Sequence, residues 1–290
     1  MAREVRIVDV FTETPLTGNQ LAVVLDGRGL STALMQRIAR EMNFPETTFV
    51  LPPDDAAHAA KVRIFTPAME LPFAGHPTIG TAWVLANEGL ASSPEFTLEE
   101  KVGPVRVRRA GELFWMTHPP LSFGDVMAHK QVAAAVGIKE DAIVPDIPAQ
   151  LASTGNPFLY VALRDPGAVD SAAPDPMKVR KLLRGDKGHG VYLFAVAAPG
   201  RLYGRMFAVD VHEDPVTGSA AGPLGAFGVK YGLIERAKKV SIVVEQGTKM
   251  GRRGFAHIEL VYGESNDVPA RIDVGGSVMP VISGTLADFS

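Results

Sequence analysis

The chain of 290 residues lacks cysteine, a long apolar run and an excess of positive charge. The absence of cysteine excludes disulfides, thiolate metal sites and thiol nucleophiles. Its 29 lysines and arginines are balanced by 32 aspartates and glutamates, which argues against a nucleic-acid partner. The longest apolar stretch, Val191 to Ala198, is too short to cross a bilayer, and the charged N-terminus does not fit a signal peptide. We therefore expect a cytoplasmic protein with neither a membrane nor a nucleic-acid partner.

What the sequence does contain is an internal duplication. The segment from Thr17-Gly18-Asn19 to Leu25 returns from Thr154-Gly155-Asn156 to Leu163, and each copy predicts a turn followed by a strand. A helical pattern follows in both halves, at 31–43 with Ser31 as N-cap and at 175–184 with Pro176 just inside its start. A second strand comes after each helix.

The clearest match is a strand-type tripeptide that leads to a glycine and then to a nearly uncharged segment. A helix without a polar face is buried on all sides, so each segment predicts a central helix. Four matched features in the same order predict two similar domains, each a sheet rolled around one helix. The matched sequences are Arg63-Ile64-Phe65 with Gly75 and 77–86, and Arg205-Met206-Phe207 with Gly218 and 220–229.

The starts of the two central helices are candidate binding positions. Gly75-His76-Pro77 and Gly218-Ser219-Ala220 each open a helix, where free backbone N–H groups and the positive end of the helix dipole favour an anion. Two such starts facing one cleft would hold a substrate carboxylate without a lysine or arginine. The alternative is that these glycines only permit the turn into the helix.

The acidic residues differ between the two copies. Glu70 and Glu213 each precede the helix glycine by five positions, and a carboxylate kept in both copies is better explained by structure than by catalysis. Asp214 instead aligns with Leu71, and Glu46 aligns with the region around His189, which offers no carboxylate. An asymmetric pair of acids suits proton transfer at carbon. The alternative is that Glu46 caps a strand and Asp214 starts a turn.

Covalent catalysis and metal binding are two further interpretations, and the sequence supports both less well. Ser219 as a covalent nucleophile lacks the nucleophile-elbow pattern. His212-Glu213-Asp214 could be metal ligands, but the seven histidines show no ligand spacing.

At these residues the sequence resembles the PhzF-like family of phenazine-biosynthesis proteins. The resemblance extends over nearly the whole chain, with several long motifs in the family's order. The matching segments are 18–23, 35–43, 46–50, 63–67, 70–77, 213–224, 245–247 and 251–252.

The resemblance implies an α+β, diaminopimelate epimerase-like fold with two pseudo-symmetric domains, each a rolled, mostly antiparallel sheet around a central helix. We place the first domain at 1–122, completed by 277–290, and the second at 123–276. Related epimerases of this fold use two cysteines as base and acid. His76 and Ser219 occupy those helix starts here, so a two-thiol racemase mechanism is excluded.

The resemblance also implies a function. The family's best-known member isomerises trans-2,3-dihydro-3-hydroxyanthranilate by moving a proton and a double bond, as a homodimer without metal or organic cofactor. By similarity, Glu46 is the base, His76 and Asp214 complete the catalytic set, and Gly75, Gly218 and Ser219 bind a small carboxylate substrate. Two alternatives remain: a racemase or epimerase that uses these non-thiol residues, and a non-catalytic ligand-binding homologue.

Overall fold

The computed structural model describes residues 3–183, 188–209, 213–263 and 268–289. Within it the chain forms two compact units, one of residues 1–117 with 275–290 and one of residues 118–274. The sequence placed the boundaries slightly later, at 122/123 and 276/277. Among the described residues, no helix has both the length and the apolar character to span a membrane.

The first unit is built mainly of strands and contains two helices, of which only the second is buried on all sides. Its helices are α1 (Thr32–Met42) and α2 (Gly75–Asn87). Its strands are β1 (Arg3–Val10), β2 (Asn19–Val24), β3 (Glu46–Leu51), β4 (Ala60–Phe65), β5 (Glu70–Leu71), β6 (Glu95–Glu100), β7 (Gly103–Ala110), β8 (Leu113–Thr117) and, from the end of the chain, β17 (Val278–Leu286).

The second unit has the same character, with more short helices. Its helices are α3 (His129–Val136), α4 (Pro166–Asp170), α5 (Pro176–Leu182) and α6 (Gly218–Lys230). Its strands are β9 (Ser122–Met127), β10 (Ala149–Ser153), β11 (Pro157–Ala162), β12 (Gly190–Ala198), β13 (Arg201–Ala208), β14 (Lys239–Gln246) and β15 (Gly254–Val261), and β16 (Arg271–Gly276) begins in this unit.

The two units repeat one order of strand pairing. In the first unit β1, β2, β3, β4, β6 and β7 lie side by side, with parallel pairs only at β2/β3 and β4/β6. In the second unit β10 to β15 lie side by side in order, and the parallel pairs are β11/β12 and β13/β14. The strand order and the positions of the parallel pairs confirm the duplication that the sequence predicted.

Most predicted elements form where the sequence placed them. Helix α1 is capped by Ser31, whose side chain accepts a hydrogen bond from the Leu34 N–H. Helix α5 begins at Pro176 with Asp175 as its N-cap. The predicted end of that helix at Arg184 lies outside the described residues.

The two central helices are buried on all sides, as their lack of a polar face predicts. Helix α2 packs against strands β1, β2, β3, β8 and β17, and helix α6 packs against β10, β11 and β15. Glycines permit this approach: a Cβ on Gly80 would lie 2.5 Å from Leu21 Cδ2 and 2.8 Å from Val10 Cγ2. At Gly225 the nearest atoms, from Ile258 and Ile242, are 3.0 and 3.1 Å away. The predicted close packing against strands is confirmed at both glycines.

Gly80→Ala is expected to destabilise the protein. The added methyl group would overlap two strand side chains, and overpacking costs about 1–3 kcal/mol, against a gain of at most ~1 kcal/mol in helix propensity. Gly225→Ala is the matched comparison. Its added methyl group would meet isoleucine side chains at longer distances, so the variant should lose less stability. Urea unfolding monitored by circular dichroism measures both, and a Gly80→Ala variant as stable as the parent would contradict the packing argument.

Candidate active site

Glu46 and His76 meet inside the first unit. Glu46 is the first residue of β3 and His76 is the second residue of α2. Nε2 of His76 lies 3.2 Å from Oε2 of Glu46, and the side chains are only 6% and 15% exposed. The fold therefore places a carboxylate beside an imidazole at the start of a buried helix.

His76 is a neutral imidazole in this setting. Burial lowers the pKa of His76 to about 3, because moving a positive charge out of water is unfavourable. The Nδ2 amide of Asn19 lies 3.3 Å from Nδ1 of the ring. A hydrogen bond from the ring to the backbone of Gln20 raises the pKa of His76, but burial outweighs it. Nε2, the ring nitrogen near Glu46, has no well-aligned hydrogen-bond partner among the described residues.

The buried His76 predicts a loss of stability in acid. Its pKa is lowered to about 3 in the folded protein but is about 6.5 in an unfolded chain, so the unfolded state binds more protons between these values. The free energy of unfolding should therefore fall as pH falls from about 6.5 towards 3, by at most ~1.4 kcal/mol per pH unit from this residue. His118, whose pKa burial lowers to about 4, acts in the same direction.

Urea unfolding of the parent and of His76→Asn between pH 4 and 7 measures the contribution of His76 to the pH dependence of stability. The variant should show the shallower pH dependence because it lacks one buried titratable ring. Equal slopes would mean that His76 is protonated in the folded state.

Gly75 precedes His76 as the first residue of α2. Ala74 occupies the N-cap position and provides no side-chain hydrogen bond, and Gly75 is buried. Pro77 has no N–H, so the start of this helix presents the amides of Gly75 and His76. These amides and the helix dipole favour a negative group at this position.

The other three predicted residues lie together in the second unit. Gly218 and Ser219 are the first two residues of α6, whose N-cap is Thr217. Asp214 pairs with β13 through its backbone N–H, which donates to the Met206 carbonyl at 3.0 Å. Its carboxylate Oδ2 accepts a hydrogen bond of 2.6 Å from the Thr217 hydroxyl. The expectation that the starts of α2 and α6 share one cleft stays a prediction.

Strand register confirms that Glu46 has no counterpart in the second unit. Glu46 pairs with Leu21, the fourth residue after Thr17, and Gly190 pairs with Phe158, the fourth residue after Thr154. Gly190 therefore takes the place of Glu46, and a Cβ there would lie 2.6 Å from the Phe207 carbonyl oxygen. The second unit has no space for an equivalent acid.

The same comparison confirms that Asp214 has no acidic counterpart in the first unit. Asp214 bridges to Met206, whereas Leu71 pairs with Ile64. Ile64 and Met206 are the middle residues of the repeated tripeptide. Each unit therefore holds one acid that its copy lacks.

Glu70 and Glu213 have the structural role that their repetition predicted. Arg63 donates to both carboxylate oxygens of Glu70 at 2.8 and 2.9 Å, and Arg205 donates to both oxygens of Glu213 at 2.9 Å. The Arg63 guanidinium lowers the pKa of Glu70 through these bonds. Each pair joins a strand to the segment that leads into a central helix.

The metal interpretation of residues 212–214 gains no support. His212 lies outside the described residues, and Glu213 is held by Arg205 in a two-bond ion pair. Within the described residues, no group of three or more His, Asp or Glu side chains could hold a metal ion.

Sequence reasoning gave no site role to two residues that organise these positions. Asn19 contacts the His76 ring, and Gln246 contacts both Thr217 and Asp214. Asn19 is repeated as Asn156 in the duplication, which was a usable signal. Gln246 follows Asp214 at a long sequence separation, and no local pattern links the two.

Comparisons with known proteins give matches that cover nearly the whole chain. A family described as phenazine biosynthesis-like protein (PhzC-PhzF) matches residues 8–284. The trans-2,3-dihydro-3-hydroxyanthranilate isomerase of Pseudomonas chlororaphis is 34% identical, with 97% of this chain and 98% of the relative covered. A PhzF-family protein from Bacillus anthracis has a similar structure, with a TM-score of 0.91, 26% identity, and 99% of this chain and 100% of that chain covered.

A predicted epimerase from Pseudomonas aeruginosa is also similar in structure. Its TM-score is 0.79 at 31% identity, and the match covers 99% of both chains. These similarities and the strand order of both units confirm the expected fold: α+β, with two related units that each surround a central helix.

Proposed function

Because the chain belongs to the PhzC-PhzF family of phenazine biosynthesis-like proteins, we propose that it is an isomerase that moves a proton and a double bond in a small, carboxylate-bearing ring. The observation that carries this proposal is the 3.2 Å approach of Glu46 to the neutral His76 at the start of α2. The proposed substrate class is that of trans-2,3-dihydro-3-hydroxyanthranilate, on which the 34% identical relative acts.

In the proposed reaction, the Glu46 carboxylate removes a proton from a ring carbon. The C–H electron pair forms a new double bond to the neighbouring carbon, the π pair of the existing double bond shifts along the ring, and the carbon at its far end takes the proton back. Substrate and product are isomers, so the step needs no oxidant or reductant. Glu46 begins as the base and ends the first half of the reaction as the acid that can return the proton.

In this proposal, His76 and the starts of α2 and α6 stabilise the negative charge of the substrate during the reaction. A neutral imidazole at this position can form a hydrogen bond with a polar group of the substrate, and it carries no positive charge that would oppose proton uptake by Glu46. Gly75, Gly218 and Ser219 would provide backbone amides for the carboxylate, and Asp214 would orient the hydroxyl or amino group. We propose that the active protein is a homodimer that needs no cofactor.

The test is incubation of the purified protein with trans-2,3-dihydro-3-hydroxyanthranilate, with its loss followed by absorbance and the product identified by mass spectrometry. Turnover that is absent from heat-denatured protein supports the proposal. Failure to consume this compound, in a protein that is folded by circular dichroism, would overturn the assigned substrate class.

A second candidate is an epimerase with the same acid–base residues, favoured by the similarity to the predicted epimerase from Pseudomonas aeruginosa. The two reactions differ in their products. Deuterium from heavy water at an inverted stereocentre, with the double bonds unmoved, would identify the epimerase. A shifted double bond identifies the isomerase.

A further inference from the structure

A buried amide at the end of β14 uses all its hydrogen-bonding positions around the start of α6. Gln246 is 1% exposed. Its Oε1 accepts from the Tyr192 hydroxyl at 2.6 Å and from the Thr217 N–H at 3.2 Å. Its Nε2 donates to the Asp214 carbonyl at 2.7 Å and to the Thr217 hydroxyl oxygen at 3.1 Å. A primary amide has two N–H donors and two acceptor lone pairs, so this side chain is fully satisfied.

The set of partners fixes the orientation of the Gln246 amide. Turning it over would place Oε1 against the Asp214 carbonyl and Nε2 against the Thr217 N–H, pairing acceptor with acceptor and donor with donor. Tyr192 is buried beside them, and burial together with the charge of Asp214 raises its pKa well above the usual value. Tyr192 therefore keeps its proton and donates to Gln246.

This orientation determines the direction of the next hydrogen bond. The Thr217 hydroxyl oxygen accepts from Gln246 Nε2, so its single proton is free to point elsewhere. The oxygen within reach of that proton is Oδ2 of Asp214, at 2.6 Å. The order of donation therefore runs from Tyr192 through Gln246 and Thr217 to the Asp214 carboxylate.

Asp214 is thus held at its backbone and at its side chain. Its N–H donates to Met206 of β13, and its carbonyl accepts from Gln246 of β14. Thr217 holds the carboxylate from the N-cap position of α6. Residues from β13, from the end of β14 and from the N-cap of α6 therefore set the position of one catalytic candidate.

We propose that Thr217, oriented by Gln246 and Tyr192, is a positioning residue that holds the Asp214 carboxylate in the arrangement needed for the reaction. The kinetic consequence rests on the proposed role of Asp214 as a catalytic residue. The structural claim rests only on the hydrogen bonds, because it concerns where the carboxylate points.

The test compares Thr217→Val with Thr217→Ser. Valine has nearly the shape of threonine but removes the hydroxyl, whereas serine keeps it. Crystal structures should show the Asp214 carboxylate turned away from its present position in Thr217→Val and unchanged in Thr217→Ser. Because a displacement of about 1 Å can cost on the order of 100-fold in rate, kcat should fall by roughly 10- to 100-fold in Thr217→Val, with a much smaller change in KM, and recover in Thr217→Ser.

Thr248→Val is the matched control. The Thr248 hydroxyl donates to the Glu245 carboxylate at 2.7 Å on the surface of the same unit. The Thr248→Val variant therefore loses a hydroxyl–carboxylate hydrogen bond that does not involve Asp214. It should leave kcat and the Asp214 position unchanged.

The outcomes separate this inference from the proposed function. An Asp214 carboxylate that stays in place in Thr217→Val overturns the positioning role, whatever the substrate. A carboxylate that turns supports the role even if the parent does not consume the dihydro-hydroxyanthranilate, which would overturn only the substrate assignment. A turned carboxylate with an unchanged kcat would overturn the catalytic importance of the position.

Discussion

Glu46→Gln is expected to lower kcat by roughly 100- to 10,000-fold, the range that a positioned general base contributes. Glutamine has the size of glutamate and can still face His76 Nε2, which lies 3.2 Å from the carboxylate, but it cannot accept a proton from carbon at neutral pH. The fold and ligand binding should therefore persist. Initial rates with the dihydro-hydroxyanthranilate measure the loss.

Two controls make this result specific. Glu41→Gln removes an exposed carboxylate from α1 and should retain full activity. Calorimetric titration with 3-hydroxyanthranilate, an aromatic analogue with the same ring substituents, should give similar dissociation constants for the parent and for Glu46→Gln. Normal turnover by Glu46→Gln would exclude Glu46 as the base, and loss of analogue binding would assign it to binding instead.

The second large effect is on stability. Glu213→Gln should lower the free energy of unfolding by about 3–5 kcal/mol, the usual cost of removing one partner from a buried ion pair. Arg205 is 8% exposed and would keep its charge without the carboxylate that accepts two of its hydrogen bonds. Its Nη1 group donates to the carbonyls of Val169, Asp170 and Ala172, so it cannot turn towards water without breaking further bonds.

The equivalent pair in the first unit is the matched comparison. Arg63 and Glu70 have side chains that are 23% and 20% exposed, against 10% and 14% for Arg205 and Glu213. Glu70→Gln should therefore cost less, about 1.5–3 kcal/mol for a hydrogen bond to a charged group. Urea unfolding of both variants measures the difference. Equal losses, or a loss below ~1 kcal/mol for Glu213→Gln, would contradict the structural role of the pair.

The sequence predicted the parts of the fold that depend on local patterns and repetition. The lack of a polar face identified α2 and α6 as buried helices, and the repetition of Glu70 and Glu213 identified them as structural acids. The alignment of the two copies identified Glu46 and Asp214 as acids without counterparts. It could do so because residues that align in the two sequence copies occupy equivalent strand positions in the two units. These inferences needed only the order of residues along the chain.

The polar contacts around those acids could not be read from the sequence in the same way. Asn19 reaches His76 across 57 positions, and Gln246 reaches Asp214 across 32. Such hydrogen bonds depend on the positions in which the folded sheet places the side chains. They also depend on differences of a few tenths of an ångström in the distance between donor and acceptor. Neither quantity leaves a periodic signal in the sequence.

Mass spectrometry of the substrate and product after incubation in heavy water tests the central claim most directly, because it follows the removal of the proton from carbon. The parent enzyme should form product, and Glu46→Gln should give neither product nor deuterium in the recovered substrate on the same timescale. Product or deuterium incorporation by Glu46→Gln at the parent rate would mean that another group takes the proton.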